Sequence, residues 1–135
     1  MKRDMAAALI IRGGRVLLVH NTKHGGLRIE PPGGKKHADE GWEEGVEREV
    51  REELGVRVRP VRLFGTYSTH SPEGEFTVRL YLCEIISGEP RVMEPEKIPG
   101  FGWYSIDEIE GLKEEGSLVP NMTEALDDLK KHLGG

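Results

Sequence analysis

From Phe76 to Ile86 the apolar residues Phe76, Val78, Leu80 and Leu82 fall on every second position, the period of a strand with one buried face. Residues 5–11 and Arg15–His20 are two more apolar runs, and Gly13-Gly14 between them predicts a tight connection. Leu27–Glu30 is long enough only for a brief strand, and Pro31-Pro32-Gly33-Gly34 after it predicts a turn. Between Trp42 and Leu54 the period changes: Val46, Val50 and Leu54 recur every fourth residue and predict a helix. Gly41 suits its N-cap, Glu44 completes a capping box, and Gly55 supplies the left-handed residue that ends it. Val56–Ser68 predicts a long strand, bulged at Gly65, followed by a turn over His70–Glu75. Ser87–Gly102 is irregular and charged; Trp103-Tyr104 then begins a last short strand. Ser105 caps a helix carrying Ile106, Ile109 and Leu112, and Asn121–Leu133 forms a terminal helix with Met122, Leu126 and Leu129 on one face. Hairpins alternate with crossovers, so the pattern predicts an α/β fold in which helices cover both faces of a mixed β-sheet.

The helix over Trp42–Leu54 carries more than packing information. Glu49, Glu52 and Glu53 sit at i, i+3 and i+4 and share one face. Read alone, EREVREEL is a solvated helix face with charge pairs such as Arg48–Glu52. That reading leaves the double glycine, the separate Glu40 and the terminal Gly55-Val56 without a reason for their offsets. Three crowded carboxylates call for a positive partner, and a hard divalent ion meets that need while keeping positions open for phosphate oxygens. A Pro32-Gly33-Gly34 turn would bring backbone close to such an ion or to a phosphate.

The spacing Gly34-x5-Glu40-x7-Arg48-Glu49-Val50-x-Glu52-Glu53-x-Gly55-Val56 resembles the box of the Nudix hydrolase family, with every position filled. It covers 23 of the 135 residues. The resemblance implies a Nudix-type α/β/α sandwich with a mixed β-sheet, and hydrolysis of a nucleoside diphosphate linked to another moiety by Mg²⁺ or Mn²⁺ and water. Carried over by position, Glu49, Glu52 and Glu53 would be metal ligands, with the Gly33 carbonyl beside them. Arg48 would orient the glutamates, while Gly34 and Glu40 would brace the loop behind them. Glu52 or Glu53 would be indispensable, and the general base stays open. A further carboxylate in small members comes from the loop before the last strand, where Glu94 and Glu96 are the candidates and Glu96 is assigned to catalysis. Gly45 stands where family helices commonly carry alanine, and Ile29 where an aromatic residue often precedes the glycines.

Composition adds limits. At 135 residues the chain is expected to form a single domain, 1–135, with a core of its own. A net charge of −5 argues against nucleic acid or a membrane as the main partner, though not against a metal-bound nucleotide. The lone Cys83 lies in an apolar strand and suits a buried thiol in a reducing compartment. The basic start before an apolar run is interrupted by Asp4 and lacks a cleavage site, so no signal peptide is read and a cytoplasmic location is expected. Whether the chain forms a homodimer stays open.

Arg28, Lys35, Lys36 and Arg79 are candidate phosphate contacts; Arg28 and Arg79 are assigned to the substrate, and His24, His37 and His70 are read as surface residues. Asn121 carries two readings: it resembles the asparagine with which MutT-type members read a guanine edge, and it is also a good N-cap with Glu124 at the capping-box position. The expected function is MutT-like cleavage of a nucleoside triphosphate, with 8-oxo-dGTP among the candidates, to monophosphate and pyrophosphate. An ADP-ribose pyrophosphatase is the alternative, suggested by Leu63–Ser68 and Pro72; a non-catalytic nucleotide-binding regulatory module is the alternative of another class.

Overall fold

The computed structural model describes residues 2–134 as seven strands and three helices. They are β1 (Arg3–Arg12), β2 (Arg15–Asn21), β3 (Arg28–Glu30), β4 (Gly33–Lys35), α1 (Trp42–Leu54), β5 (Arg57–Ser71), β6 (Gly74–Ser87), β7 (Gly100–Tyr104), α2 (Ile106–Glu114) and α3 (Pro120–Gly134). The sheet runs β3-β2-β1-β6-β5, with β4 on β1 and β7 on β2. β1 and β6 are parallel and the other pairs antiparallel, so the sheet is mixed.

Alternation along β1 builds two cores. Ala7 and Leu9 face one side, with Val16, Leu18, Val78 and Leu80, against Ile109 of α2 and Met122, Leu126 and Leu129 of α3. Ala6, Ala8 and Ile10 face the other, with Leu17, Val19 and Cys83, against Val46, Val50 and Leu54 of α1. This is the expected α/β/α sandwich. Val46, Val50 and Leu54 are fully buried and contribute roughly 1.5–3 kcal/mol each. Like-charge repulsion along the helix costs only a few tenths of a kcal/mol per pair. Packing therefore holds α1 in place whatever its carboxylates do.

β1 and β2 pair only next to their turn, at Ile11↔Val16 and Arg12↔Arg15. Beyond it they part: β2 takes β3 and β7 as partners, while β1 takes β4 and β6. A cleft opens in that fork.

Several boundaries differ from the sequence reading, and three strand boundaries do so for a tertiary reason. Gly33–Lys35 is a strand, not a turn, and both glycines have negative φ. Their need is closeness: a Cβ on Gly33 would lie 2.4 Å from the Ala6 carbonyl oxygen, and one on Gly34 2.6 Å from Glu49 Oε1. The last strand begins at Gly100, so Trp103-Tyr104 close it; pairing of Gly100 and Gly102 with His20 and Leu18 extends it through residues with no strand preference of their own. The β5–β6 hairpin is tighter than His70–Glu75, with only Pro72 and Glu73 outside its strands. The bulge near Gly65 is present.

Two alanine substitutions should separate these effects in urea denaturation. Gly33→Ala should cost about 3 kcal/mol, because the methyl meets backbone that cannot move aside. Gly111→Ala lies in helix α2 with nothing within 4 Å of the new methyl and should gain about 0.5–1 kcal/mol.

Candidate active site

Helix α1 starts as its sequence dictates. Gly41 is the N-cap in an extended conformation, its N–H donating to Glu44 Oε1 at 2.8 Å, and Gly55 closes the helix at φ 69°. The buried stripe then turns Glu49, Glu52 and Glu53 towards β4.

Glu53 is the innermost. It is only 7% exposed, and its Oε1 accepts the Gly33 backbone N–H at 3.2 Å. Burial raises its proton affinity well above the ordinary carboxylate range, and the nearby charges of Glu49, Glu30 and Glu94 raise it further. Glu49 is raised too, by burial first, against the opposing pull of Arg48. Half-buried Glu30 is a further carboxylate in the cleft, its proton affinity raised by burial and moderated by Asn21 and Arg28.

Arg48 is the hub. Its Nε and Nη2 grip the two oxygens of Glu40 at 3.0 and 2.8 Å. Its Nη1 donates to Glu49 at 3.0 Å and to Glu52 at 3.2 Å, and Nη2 also reaches the Lys35 carbonyl at 3.2 Å. Glu40 Oε1 in turn accepts the His37 N–H at 2.9 Å, tying the loop before the helix to the same guanidinium. Such a bidentate fork fixes orientation as well as charge.

These side chains line a cleft of about 380 Å³, within the range of nucleotide-sized sites. Of the residues assigned from sequence, Arg28, Gly33, Gly34, Arg48, Glu49, Glu52, Glu53 and Asn121 line it, and Glu40 stands behind Arg48. Two do not. Glu96 is exposed outside the cleft, whereas Glu94 lines it, because the turn over residues 94–98 directs Glu94 and Ile98 inwards. Arg79 lies on the α1 face with its guanidinium 4.2 Å from the Trp42 ring centre, while the cleft opens on the Val78 face. Strand alternation separates them.

Asn121 is not an N-cap. Helix α3 begins one residue earlier at Pro120, and the Val119 carbonyl accepts the first N–H groups, from Met122 and Thr123. Glu124 accepts the Ser68 N–H instead of closing a capping box. The Asn121 side chain is buried in the cleft and bonds to no described residue; Thr69 Oγ1, also lining the cleft, is buried without a partner. His24 is no plain surface residue either: it lines the cleft with Nε2 3.4 Å from Glu73. Glu30 and Glu73 were not singled out from the sequence. Alternation around Ile29 could have placed Glu30 on the face away from the core; nothing local marks Glu73.

The donor set suits a hard divalent ion: carboxylates with little water, one anchored by a backbone N–H, and a glycine hollow that any Cβ would fill. Among the described residues no three such groups converge on one point, because Arg48 draws Glu49 and Glu52 to itself. Also among them, no helix is long and apolar enough to cross a membrane.

A family model for the NUDIX domain matches residues 1–129. The NAD-capped RNA hydrolase NudC of Actinobacillus succinogenes is 30% identical over 120 residues, covering 84% of this chain and 44% of NudC. The chain thus spans less than half the length of the curated relatives it matches first. Their name pairs them with RNA, which does not fit an expectation of no nucleic-acid partner drawn from net charge. Among solved structures, the MutT NUDIX hydrolase of Burkholderia pseudomallei is 32% identical with a TM-score of 0.71, covering 80% of this chain and 86% of that one. A NUDIX hydrolase from Nitrosomonas europaea is 25% identical with a TM-score of 0.83, covering 99% and 90%.

Two outcomes follow for this cluster. Arg48 holds the Glu40 carboxyl down to about 2 against an ordinary 4.5. The stabilisation is therefore complete above about pH 4.5 and is lost as pH falls towards 2. The Tm difference between wild type and Glu40→Gln should be largest above pH 5 and vanish near pH 2, as read by thermal melts. Glu53→Gln keeps the Gly33 bond but removes a buried charge, so metal-free protein should melt a few degrees higher, at about 4 °C per kcal/mol, while turnover falls by orders of magnitude.

Proposed function

The chain belongs to the NUDIX domain family, and from that premise we propose that it hydrolyses the diphosphate linkage of a nucleoside triphosphate to monophosphate and pyrophosphate. The observation that carries this reading is the cleft's polarity. Buried Glu53 and half-buried Glu49 form its floor beneath Gly33 and Gly34, and Lys23, Arg28, Lys35 and Lys97 line it as well. A divalent ion, Mg²⁺ or Mn²⁺, held by Glu49, Glu52 and Glu53 with the Gly33 carbonyl, would neutralise the phosphate chain and acidify water. Arg48 keeps the glutamates aimed, and Glu40 keeps Arg48 aimed. Glu94 is the loop carboxylate that lines the cleft, and in this reading it takes the proton from the attacking water. Asn121 offers the base a donor and an acceptor, and Thr69 Oγ1 lines the same cleft.

A second reading has its own support. Similarity to NudC, an NAD-capped RNA hydrolase, over most of this chain favours an NAD-type diphosphate in the same cleft, a linkage that ADP-ribose shares.

A substrate panel with Mg²⁺, read by chromatography, tests both. The expected result is monophosphate plus pyrophosphate from a triphosphate, abolished by EDTA. AMP with reduced nicotinamide mononucleotide from NADH, AMP with ribose 5-phosphate from ADP-ribose, or decapping of NAD-capped RNA would favour the second reading. Silence across the panel from folded protein would leave a binding module. Asn121→Ala sharpens the first reading: kcat/KM for the preferred base should fall tenfold or more, about 1.4 kcal/mol, with other bases changed far less. Its Tm should stay nearly unchanged, since the side chain caps no helix.

A further inference from the structure

One carboxylate gathers the cations at the mouth of the cleft. Glu73, in the turn between β5 and β6, reaches across to the β2–β3 loop and to β4. Its Oε2 lies 3.3 Å from Lys23 Nζ and 3.4 Å from His24 Nε2, and its Oε1 accepts a hydrogen bond from Lys35 Nζ. The turn is set for this reach, because the Glu73 N–H donates to Ser71 Oγ at 3.1 Å. Beside it Arg28 Nη2 donates to the His70 carbonyl at 3.0 Å, a second tie between the two arms of the fork. All these residues but His70 line the cleft.

The arrangement costs the site something. Lys23 and Lys35 are the cations a phosphate chain would meet on entering, and both are already neutralised. The Lys35 ammonium, with Lys23 beside it, holds the Glu73 carboxyl down to about 2, so it stays charged at any working pH. Yet the Glu73 side chain is 31% exposed, and its partners Lys23 and Lys35 are more exposed still. Ion pairs in such surroundings are each worth under about 1 kcal/mol. A phosphate chain brings several charges and more acceptor oxygens to the same cations, and so can displace a single carboxylate.

We propose that Glu73 is a built-in stand-in for phosphate: it clasps Lys23, His24 and Lys35 across the cleft mouth, and a substrate's phosphate chain must displace it to enter. Glu73 thereby sets phosphate affinity without touching the reacting atoms. This rests on the reading that a phosphate chain enters the cleft.

The test is calorimetric titration of inorganic tripolyphosphate into wild type and Glu73→Gln, without divalent ions and at low salt. Glu73→Gln should bind about tenfold tighter with a steeper salt dependence, because the freed cations then meet the ligand alone. Adding Lys35→Met to Glu73→Gln should erase that gain. Equal or weaker binding by a folded Glu73→Gln would overturn the clasp. So would loss of folding in Glu73→Gln, which would make Glu73 a structural brace. No turnover is read, so the two proposals fail separately. Tighter binding without any nucleotide hydrolysis keeps the clasp and loses the activity; hydrolysis with unmoved binding does the reverse.

Discussion

The constraint on which this structure turns is a carboxylate buried where it has little water. Glu53 has one backbone N–H, from Gly33, and otherwise faces Glu49, Glu30 and Glu94. A domain tolerates that only if stronger forces fix the elements that carry it. The apolar stripe of α1 against the β1–β2–β6 face is that force, and Arg48 contributes the one guanidinium that spans Glu40, Glu49 and Glu52. Stability is spent locally so that a cation is wanted there.

Topology then gives the buried charge a use. Because β1 and β2 separate after two residue pairs, the sheet forks, and the floor of the fork is β4, backed by α1. β4 can lie there only with glycine at Gly33, where a side chain would strike the backbone of β1, while one at Gly34 would push the Glu49 carboxylate aside. The arms of the fork carry the cations and Glu73. Acid floor and basic walls together suit a metal-bound phosphate chain better than either alone.

Much of this was legible in the sequence, because the legible features are local. The period of Val46, Val50 and Leu54, the capping residues around α1 and the alternation in β6 are set by neighbours in the chain, as are the relative positions of Glu49, Glu52 and Glu53. What was misplaced depends on distant partners. Gly33-Gly34 becomes a strand because β1 lies beside it, and Gly100 and Gly102 because β2 does. Arg79 is a candidate phosphate contact by residue type alone, and which face of β6 opens onto the cleft is set by its neighbours. Glu96 lies outside the cleft and Glu94 lines it through the direction of one turn. Asn121 was offered as a cap because α3 was started one residue late, at a proline that suits the first helical position. Glu73 could not be found, since its three partners lie 38 to 50 residues away on other elements.

The most direct measurement is an anomalous difference map from crystals grown with Mn²⁺ and a non-hydrolysable triphosphate. The expected result is the ion among Glu49, Glu52 and Glu53 beneath Gly33, with the phosphate chain beside it. Mn²⁺ bound elsewhere, with these carboxylates still held by Arg48 and free of metal at saturation, would contradict the assignment.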